Sequence, residues 1–150
     1  MLSYKYKKNF INFQKVYFSD QIVKSEADII RYIQYKGEKQ DSNNLFFTSL
    51  IDLDHSEEII RSKIRKSYLH LINQAKKKYQ VKIKYFDKPD NNELLNFSSL
   101  HNEVSLEKGY ALLDLNILVS LKNNILISYA YYNAKVISGQ LYIYDDNRIR

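Results

Sequence analysis

No cysteine or tryptophan occurs in this 150-residue chain, and it contains only three glycines and one proline. The lack of cysteine excludes a disulfide framework, a thiolate zinc site and a cysteine nucleophile. Three isolated glycines cannot form a glycine-rich phosphate loop, and neither G-x-x-x-x-G-K-[ST] nor G-x-G-x-x-G is present. The G-x-S-x-G nucleophile elbow of many hydrolases is absent as well. These absences remove several large classes of enzyme.

Long apolar runs are missing too. The longest, residues 112–121, is interrupted by Asp114 and Asn116 and is shorter than the roughly 20 residues of a membrane-spanning helix. The first ten residues are basic, but no apolar core follows them, so no signal peptide is predicted. With 45% apolar and 27% charged residues, the composition is typical of a folded globular chain. We expect one domain over residues 1–150, without a membrane span, soluble and cytoplasmic.

The charge is moderately basic. There are 23 basic and 17 acidic residues, a net charge of +6, and lysine outnumbers arginine 18 to 5. Lysine, asparagine, tyrosine and isoleucine are all abundant, and because their codons are rich in A and T, a biased genome explains much of the excess. One functional hypothesis is nevertheless a non-catalytic basic module that binds an acidic partner or nucleic acid, with nucleic acid the less favoured of the two.

The first third of the chain predicts elements of several kinds. Partial alternation of apolar residues and lysine predicts one or two short strands within residues 4–23. Ser25 is a suitable N-cap for a helix over 26–36. A polar linker is expected at 38–44, followed by a buried strand over 45–53.

The pattern of residues 55–79 predicts one long helix. Asp54 is the expected cap, and apolar residues recur every three or four positions to form one stripe. Arg61 and Arg65 lie one turn apart beside that stripe, and such a pair can hold a carboxylate or a phosphate. The alternative is a solvated face on which these arginines pair with the glutamates of the first turn.

The rest of the chain predicts a strand, two helices and a hairpin. The expected elements are a strand over 81–86, a helix to about 104 that is separated by Gly109 from a helix over 110–122, and strands over 125–132 and 135–144 around a turn at Asn133 and Ala134. Strand, helix, strand, two helices and a hairpin together predict an α/β fold with an antiparallel pair.

Several short strings in this chain resemble a known family. They are Ile-Asp-Leu at 51–53, Ser-Glu-Glu at 56–58, Ile-Arg-Lys-Ser-Tyr at 64–68, Leu-Ile-Asn at 71–73, Leu-His-Asn-Glu-Val at 100–104 and Val-Ile-Ser-Gly at 136–139 with Tyr-Asp at 144–145. In this order they resemble the FemAB-type branch of the GNAT acyltransferase superfamily. The resemblance covers residues 45–150, with 1–44 as an N-terminal extension. It implies a GNAT-like mixed sheet with flanking helices.

The chain departs from the family pattern in two places. Ser-Leu-Glu-Lys-Gly at 105–109 stands where the family commonly has a Gly-Arg-x-Thr-Arg-like stretch. In the superfamily the hairpin is followed by a splayed strand and by a helix whose N-terminus binds the pyrophosphate of the acyl donor. The chain reaches residue 150 at the start of that strand, so we expect a front portion of the fold that is inactive alone.

The resemblance also implies a function. The family transfers an acyl or aminoacyl group to an amine of a cell-envelope or sugar precursor, with acyl-CoA or aminoacyl-tRNA as donor for the full-length proteins and no cofactor in this chain. The residues expected to bind an anionic acceptor are Arg65, Lys66, Ser67 and Tyr68. His101 or Glu103 is the candidate proton acceptor. No two of the three histidines have metal-ligand spacing, so no metal site is predicted.

The strand over 135–144 has a further consequence in this interpretation. If the strand that normally pairs with it is missing, its outer backbone N–H and C=O groups have no partner. Residues 136–144 contain no lysine or proline, which are the residues that commonly protect such an edge. We therefore expect the chain to form homo-oligomers through this strand.

Overall fold

The computed structural model describes residues 1–35 and 51–149. The strands are β1 (Leu2–Lys8), β2 (Ile11–Tyr17), β3 (Ile29–Ile33), β4 (Lys82–Asp87), β5 (Ile125–Tyr132) and β6 (Lys135–Ile143). The helices are α1 (Glu57–Ser62), α2 (Lys66–Lys77), α3 (Asn91–Lys108) and α4 (Leu115–Leu121), with a short 3-10 turn at Lys122–Asn124. The strands form two sheets, β1-β2-β3 and β4-β5-β6. The described chain is therefore mixed α/β, as the sequence predicted.

The first sheet confirms the strands predicted near the N-terminus and corrects the element that follows them. β1 and β2 form an antiparallel hairpin, and its turn residues Asn9 and Phe10 both have positive φ, 48° and 68°. The predicted helix over 26–36 is wrong, because β3 pairs with β2 in parallel. Its isoleucines are stiff β-branched residues that suit a strand. The Ser25 hydroxyl accepts a hydrogen bond from the Ala27 N–H in a turn instead of capping a helix.

The second sheet confirms the predicted strand and hairpin. β4 and β6 both pair antiparallel with β5, the central strand. Asn133 and Ala134 turn the hairpin with positive φ at both positions, 48° and 62°. Near the hairpin end, Tyr131 lies opposite Val136 whereas Ala130 lies opposite Ser138, so Ile137 forms a bulge. The bulge brings Val136 to the same sheet face as Tyr131.

The predicted single helix over 55–79 is wrong, since the chain forms α1 and α2 separately. Ser56, not Asp54, caps α1 by accepting a hydrogen bond from the Ile59 N–H at 3.5 Å. The Ser62 hydroxyl donates to the Ile59 carbonyl at 2.8 Å, and the backbone is extended at Arg65. No residue of α1 or α2 is buried. Tertiary packing therefore does not favour one continuous helix here.

Two other predictions concern residues 38–53. The linker at 38–44 lies outside the described residues, as does most of the strand predicted over 45–53. The part of that strand that is described, residues 51–53, is not in a strand.

Caps set the ends of α3 and α4. A reciprocal capping box joins Asp90 and Glu93 at the start of α3. The helix continues past its predicted end near residue 104 to Lys108, where Gly109, with φ of 68°, ends it. α4 begins later than predicted because the Asp114 side chain accepts a hydrogen bond from the Asn116 N–H at 2.8 Å. Residues 110–114 therefore form a loop.

The core lies where α3 and α4 pack on the two sheets. Leu94 of α3, Ile125 and Ile127 of β5 and Phe18 after β2 belong to one buried cluster. α3 approaches β6 closely at Gly139, where an added Cβ would lie 3.1 Å from the Leu100 side chain. This contact positions one face of α3 over the sheet β4-β5-β6.

Candidate functional site

The residues expected to bind an anion lie at the start of α2. Arg65 is the N-cap residue, and Lys66, Ser67 and Tyr68 form the first turn. All four are exposed. Within the part of the chain that the structure describes, their side chains have no hydrogen bond or ion pair. They are accessible to a ligand in solution, but they line neither the depression beside β1 and β2 nor the one between α3 and the second sheet.

Arg61 and Arg65 do not form the predicted fork on one helix. Arg61 lies in α1 and forms an ion pair with Glu57 at 3.2 Å, whereas Arg65 lies beyond the break. For Arg61, the solvated and paired alternative is the one observed. Glu58 has no ion pair with an arginine of residues 1–35 or 51–149; hydrogen bonds from its own backbone N–H and from Ser56 lower its pKa.

Basic charge is concentrated around α2. Residues 59–86 contain nine of the 23 basic residues and none of the 17 acidic ones, so the rest of the chain has more acidic than basic residues. All nine except Arg61 are exposed. The nine basic residues are Arg61, Lys63, Arg65, Lys66, Lys76, Lys77, Lys78, Lys82 and Lys84. This segment therefore has a strong excess of positive charge.

His101 lies in a polar network on α3. Its Nδ1 atom is 3.1 Å from the hydroxyl of the buried Ser105, and its ring packs 6.3 Å from the Phe97 ring. The neighbouring Asn102 accepts from the Leu113 N–H at 2.7 Å and donates to the Leu113 carbonyl at 3.2 Å. The network holds the loop before α4 against α3. With Nδ1 engaged, Nε2 is the ring atom left to exchange a proton with a ligand.

Glu103 is exposed on α3, two residues from His101 and therefore on another face of the helix. No hydrogen bond or ion pair among residues 1–35 and 51–149 joins His101 or Glu103 to the group at 65–68. The structure thus leaves the two sets of predicted site residues on separate helices, α2 and α3.

A groove between α3 and the second sheet was missed by sequence reasoning. Its volume is about 340 Å³. We call it the α3 groove; its lining residues are Phe86, Glu93, Asn96, Leu100, Tyr129, Tyr131 and Val136. The spacing of Glu93, Asn96 and Leu100 at three and four residues was a signal for one helix face. Their pairing with strand residues depends on tertiary packing.

The described residues contain neither a metal-ligand cluster nor a membrane-spanning helix. No group of three or more His, Asp or Glu side chains among them is placed to hold a metal ion. None of the described helices is long and apolar enough to cross a membrane. No protein-family model, curated protein or solved structure matches the chain.

Proposed function

We propose that this chain supplies the acceptor-binding part of a FemAB/GNAT-like acyl- or aminoacyltransferase. The observation that supports it is the arrangement of residues 82–143. There β4, α3, α4 and the hairpin β5–β6 follow one another along the chain, and the three strands form one sheet. The residue patterns predicted this order, and two of the family-like strings lie within it. Leu-His-Asn-Glu-Val at 100–104 lies in α3, and Val-Ile-Ser-Gly at 136–139 lies in β6.

The chemistry assigns separate tasks to the predicted residues. Acyl transfer needs a neutral amine, a group that accepts the amine proton and donors for the oxyanion that forms on the acyl carbon. Arg65 and Lys66 bind the anionic part of the acceptor, because their exposed cations have no partner among the described residues. Ser67 and Tyr68 add hydrogen bonds. His101 accepts the proton at Nε2 in the tautomer whose Nδ1–H donates to the Ser105 hydroxyl.

The basic segment 59–86 favours a second candidate function, a non-catalytic module that binds an acidic partner. The segment contains nine basic residues and no acidic one, and eight of the nine are exposed. In this alternative many lysines contribute small and similar amounts to binding, and the affinity falls steeply with salt.

Binding of a nucleotide-linked amino sugar separates the two functions. UDP-glucosamine carries both the anionic group and the amine, and its affinity is measured by calorimetry at two salt concentrations. We expect Arg65→Ala to weaken binding about tenfold, as for loss of a charge-assisted hydrogen bond, and the control Lys76→Ala to change it less than about twofold.

Two outcomes contradict the acyltransferase proposal. One is the absence of UDP-glucosamine binding at low salt. The other is an equal loss in Arg65→Ala and Lys76→Ala together with tighter, salt-sensitive binding of heparin, which would support the basic module.

A further inference from the structure

The walls of the α3 groove are aromatic and already attract a cation. The Phe86 and Tyr129 rings meet edge to face with centroids 5.8 Å apart, and the Tyr129 and Tyr131 rings meet at 6.3 Å. The Lys84 ammonium, which is not among the lining residues, lies over the Tyr131 ring, 5.4 Å from its centroid. Aromatic faces attract ammonium groups through their negative π surface. The groove wall therefore suits a positively charged ligand on an apolar body.

The Tyr129 hydroxyl is a buried polar group without a partner. The residue is 7% exposed, and its hydroxyl oxygen has no hydrogen bond to any described residue. Buried hydroxyl groups are normally hydrogen-bonded, so an unpartnered one at a groove is a place for a ligand. Burial raises the pKa of Tyr129, and the nearby Tyr131 and Glu93 raise it further, so the hydroxyl stays protonated.

Glu93 brings a carboxylate to the same groove. Its Oε2 atom accepts a hydrogen bond from the Asp90 N–H at 2.9 Å in the capping box that starts α3. Its other carboxylate oxygen has no hydrogen bond to the described residues. Among the residues that line the groove, Glu93 is the charged one. The lining thus combines a negative charge, a free hydroxyl and aromatic faces.

We propose that the α3 groove binds a small organic ammonium ion, a primary amine carried on a flat apolar body. The ammonium donates to the free oxygen of Glu93 and to the Tyr129 hydroxyl oxygen, while the body lies against Phe86 and Tyr131. The groove volume of about 340 Å³ is in the range of small-molecule sites. This inference does not rest on the acyltransferase proposal, since residues 65–68 would bind the opposite charge on another helix.

Benzylamine is the probe for this site, with benzyl alcohol as its neutral analogue and benzoate as its anionic one. Binding is followed by amide NMR shifts at pH 7. We expect benzylamine to bind saturably and more tightly than both analogues. Glu93→Gln should weaken it about tenfold, and Tyr129→Phe about fivefold. Glutamine can still accept the capping-box hydrogen bond, so the first variant retains the start of α3.

The matched control is Glu107→Gln, which removes the same charge from an exposed position of α3. It should leave benzylamine binding unchanged. The proposal is overturned if benzylamine produces no saturable shifts at groove residues, if benzyl alcohol binds equally well, or if Glu93→Gln and Glu107→Gln have equal effects. UDP-glucosamine binding is measured independently, so either proposal can fail without the other.

Discussion

Arg148 joins the two sheets through a single side chain. Its guanidinium lies over the Phe18 ring at 5.3 Å and donates to the Phe18 carbonyl, to Asp20 at 3.2 Å and to Asp145 at 3.1 Å. Phe18 and Asp20 follow β2, whereas Asp145 follows β6. The Arg148 and Asp145 side chains are 21% and 10% exposed, so their ion pair is more protected from water than a surface pair, whereas Asp20 is 64% exposed.

Asp145 makes this link depend on pH. Partial burial raises its pKa, but hydrogen bonds from the Asn147 N–H and Arg148 outweigh burial, and the net pKa lies below its ordinary value. A lowered folded-state pKa stabilises the fold above the unfolded-state value of about 4, and this stabilisation is lost as the pH falls through the folded-state value. We expect Asp145→Asn to lower the free energy of unfolding by about 1–2 kcal/mol at neutral pH and by less in acid.

Thermal unfolding of wild type and variant from neutral pH to about pH 2.5 checks whether the stability difference becomes smaller in acid. A stability difference that stays constant over the whole range would show that the Asp145 charge does not contribute.

A substitution of Asn102 tests whether its hydrogen bonds to Leu113 stabilise the packing of the loop before α4 on α3. Asn102→Asp keeps the acceptor for the Leu113 N–H but replaces the donor with an oxygen facing the Leu113 carbonyl. We expect a loss of about 1–3 kcal/mol in urea unfolding, because a hydrogen bond is lost and two oxygens face each other at a half-buried position. Asn123→Asp, an exposed change of the same kind, should have little effect. Equal destabilisation by both changes would contradict a stabilising role of the Asn102–Leu113 hydrogen bonds.

Among the elements, α1 and α2 differ from α3 in how packing supports them. No residue of α1 or α2 is buried, whereas Leu94, Phe97, Ser98 and Ser105 of α3 are buried. Short helices without tertiary packing are marginally stable in water. Amide hydrogen exchange should therefore be much faster in α1 and α2 than in the middle of α3. Comparable protection in all three helices would mean that α2 packs against something in solution.

Gly139 allows α3 to approach β6. An added Cβ there would lie 3.1 Å from Leu100, 3.3 Å from Phe97 and 3.3 Å from Tyr129. Gly139→Val should destabilise the protein by about 1–3 kcal/mol in urea unfolding, because it overpacks this contact. The control is Ser138→Val, at an exposed neighbouring position of the same strand. An unchanged or higher stability of Gly139→Val would show that α3 can move away at little cost.

At the scale of the whole molecule, β6 is an outer strand whose one neighbour in the described sheet is β5. Residues 136–143 contain no lysine or proline, whereas the opposite edge, β4, carries Lys82 and Lys84. A bridge between Tyr144 and Ile149 covers the edge just beyond β6. We therefore expect concentration-dependent self-association through β6, measured by sedimentation velocity.

Ile137→Lys adds a charge to this edge at an exposed bulge position and should reduce the association. Ile83→Lys is the matched control on β4, where isoleucine is exposed to a similar degree, 52% against 56%. A wild-type monomer at high concentration, or equal effects of both changes, would contradict pairing through β6.

Local signals made the second half of the chain predictable from sequence. The turn at Asn133 and Ala134, the glycine that ends α3 and the alternating residues of β4 each act within a few positions, so their effect is readable without the fold. Residues 65–68 were predicted from the family-like string at 64–68, and their exposure is a property of the structure. Their role, and that of His101 and Glu103, remains a prediction.

Tertiary structure decided what local preference left open. The isoleucines of residues 26–36 suit a helix face or a strand, and parallel pairing with β2 selects the strand. The break near Arg65 follows from the lack of packing on either side, which no local pattern reports. The α3 groove joins Phe86, Glu93 and Tyr129, which are far apart in sequence. Sequence by itself thus determined the elements with their own caps and turns. Contacts between distant residues determined β3 and the groove, and the absence of such contacts left α1 and α2 as separate helices.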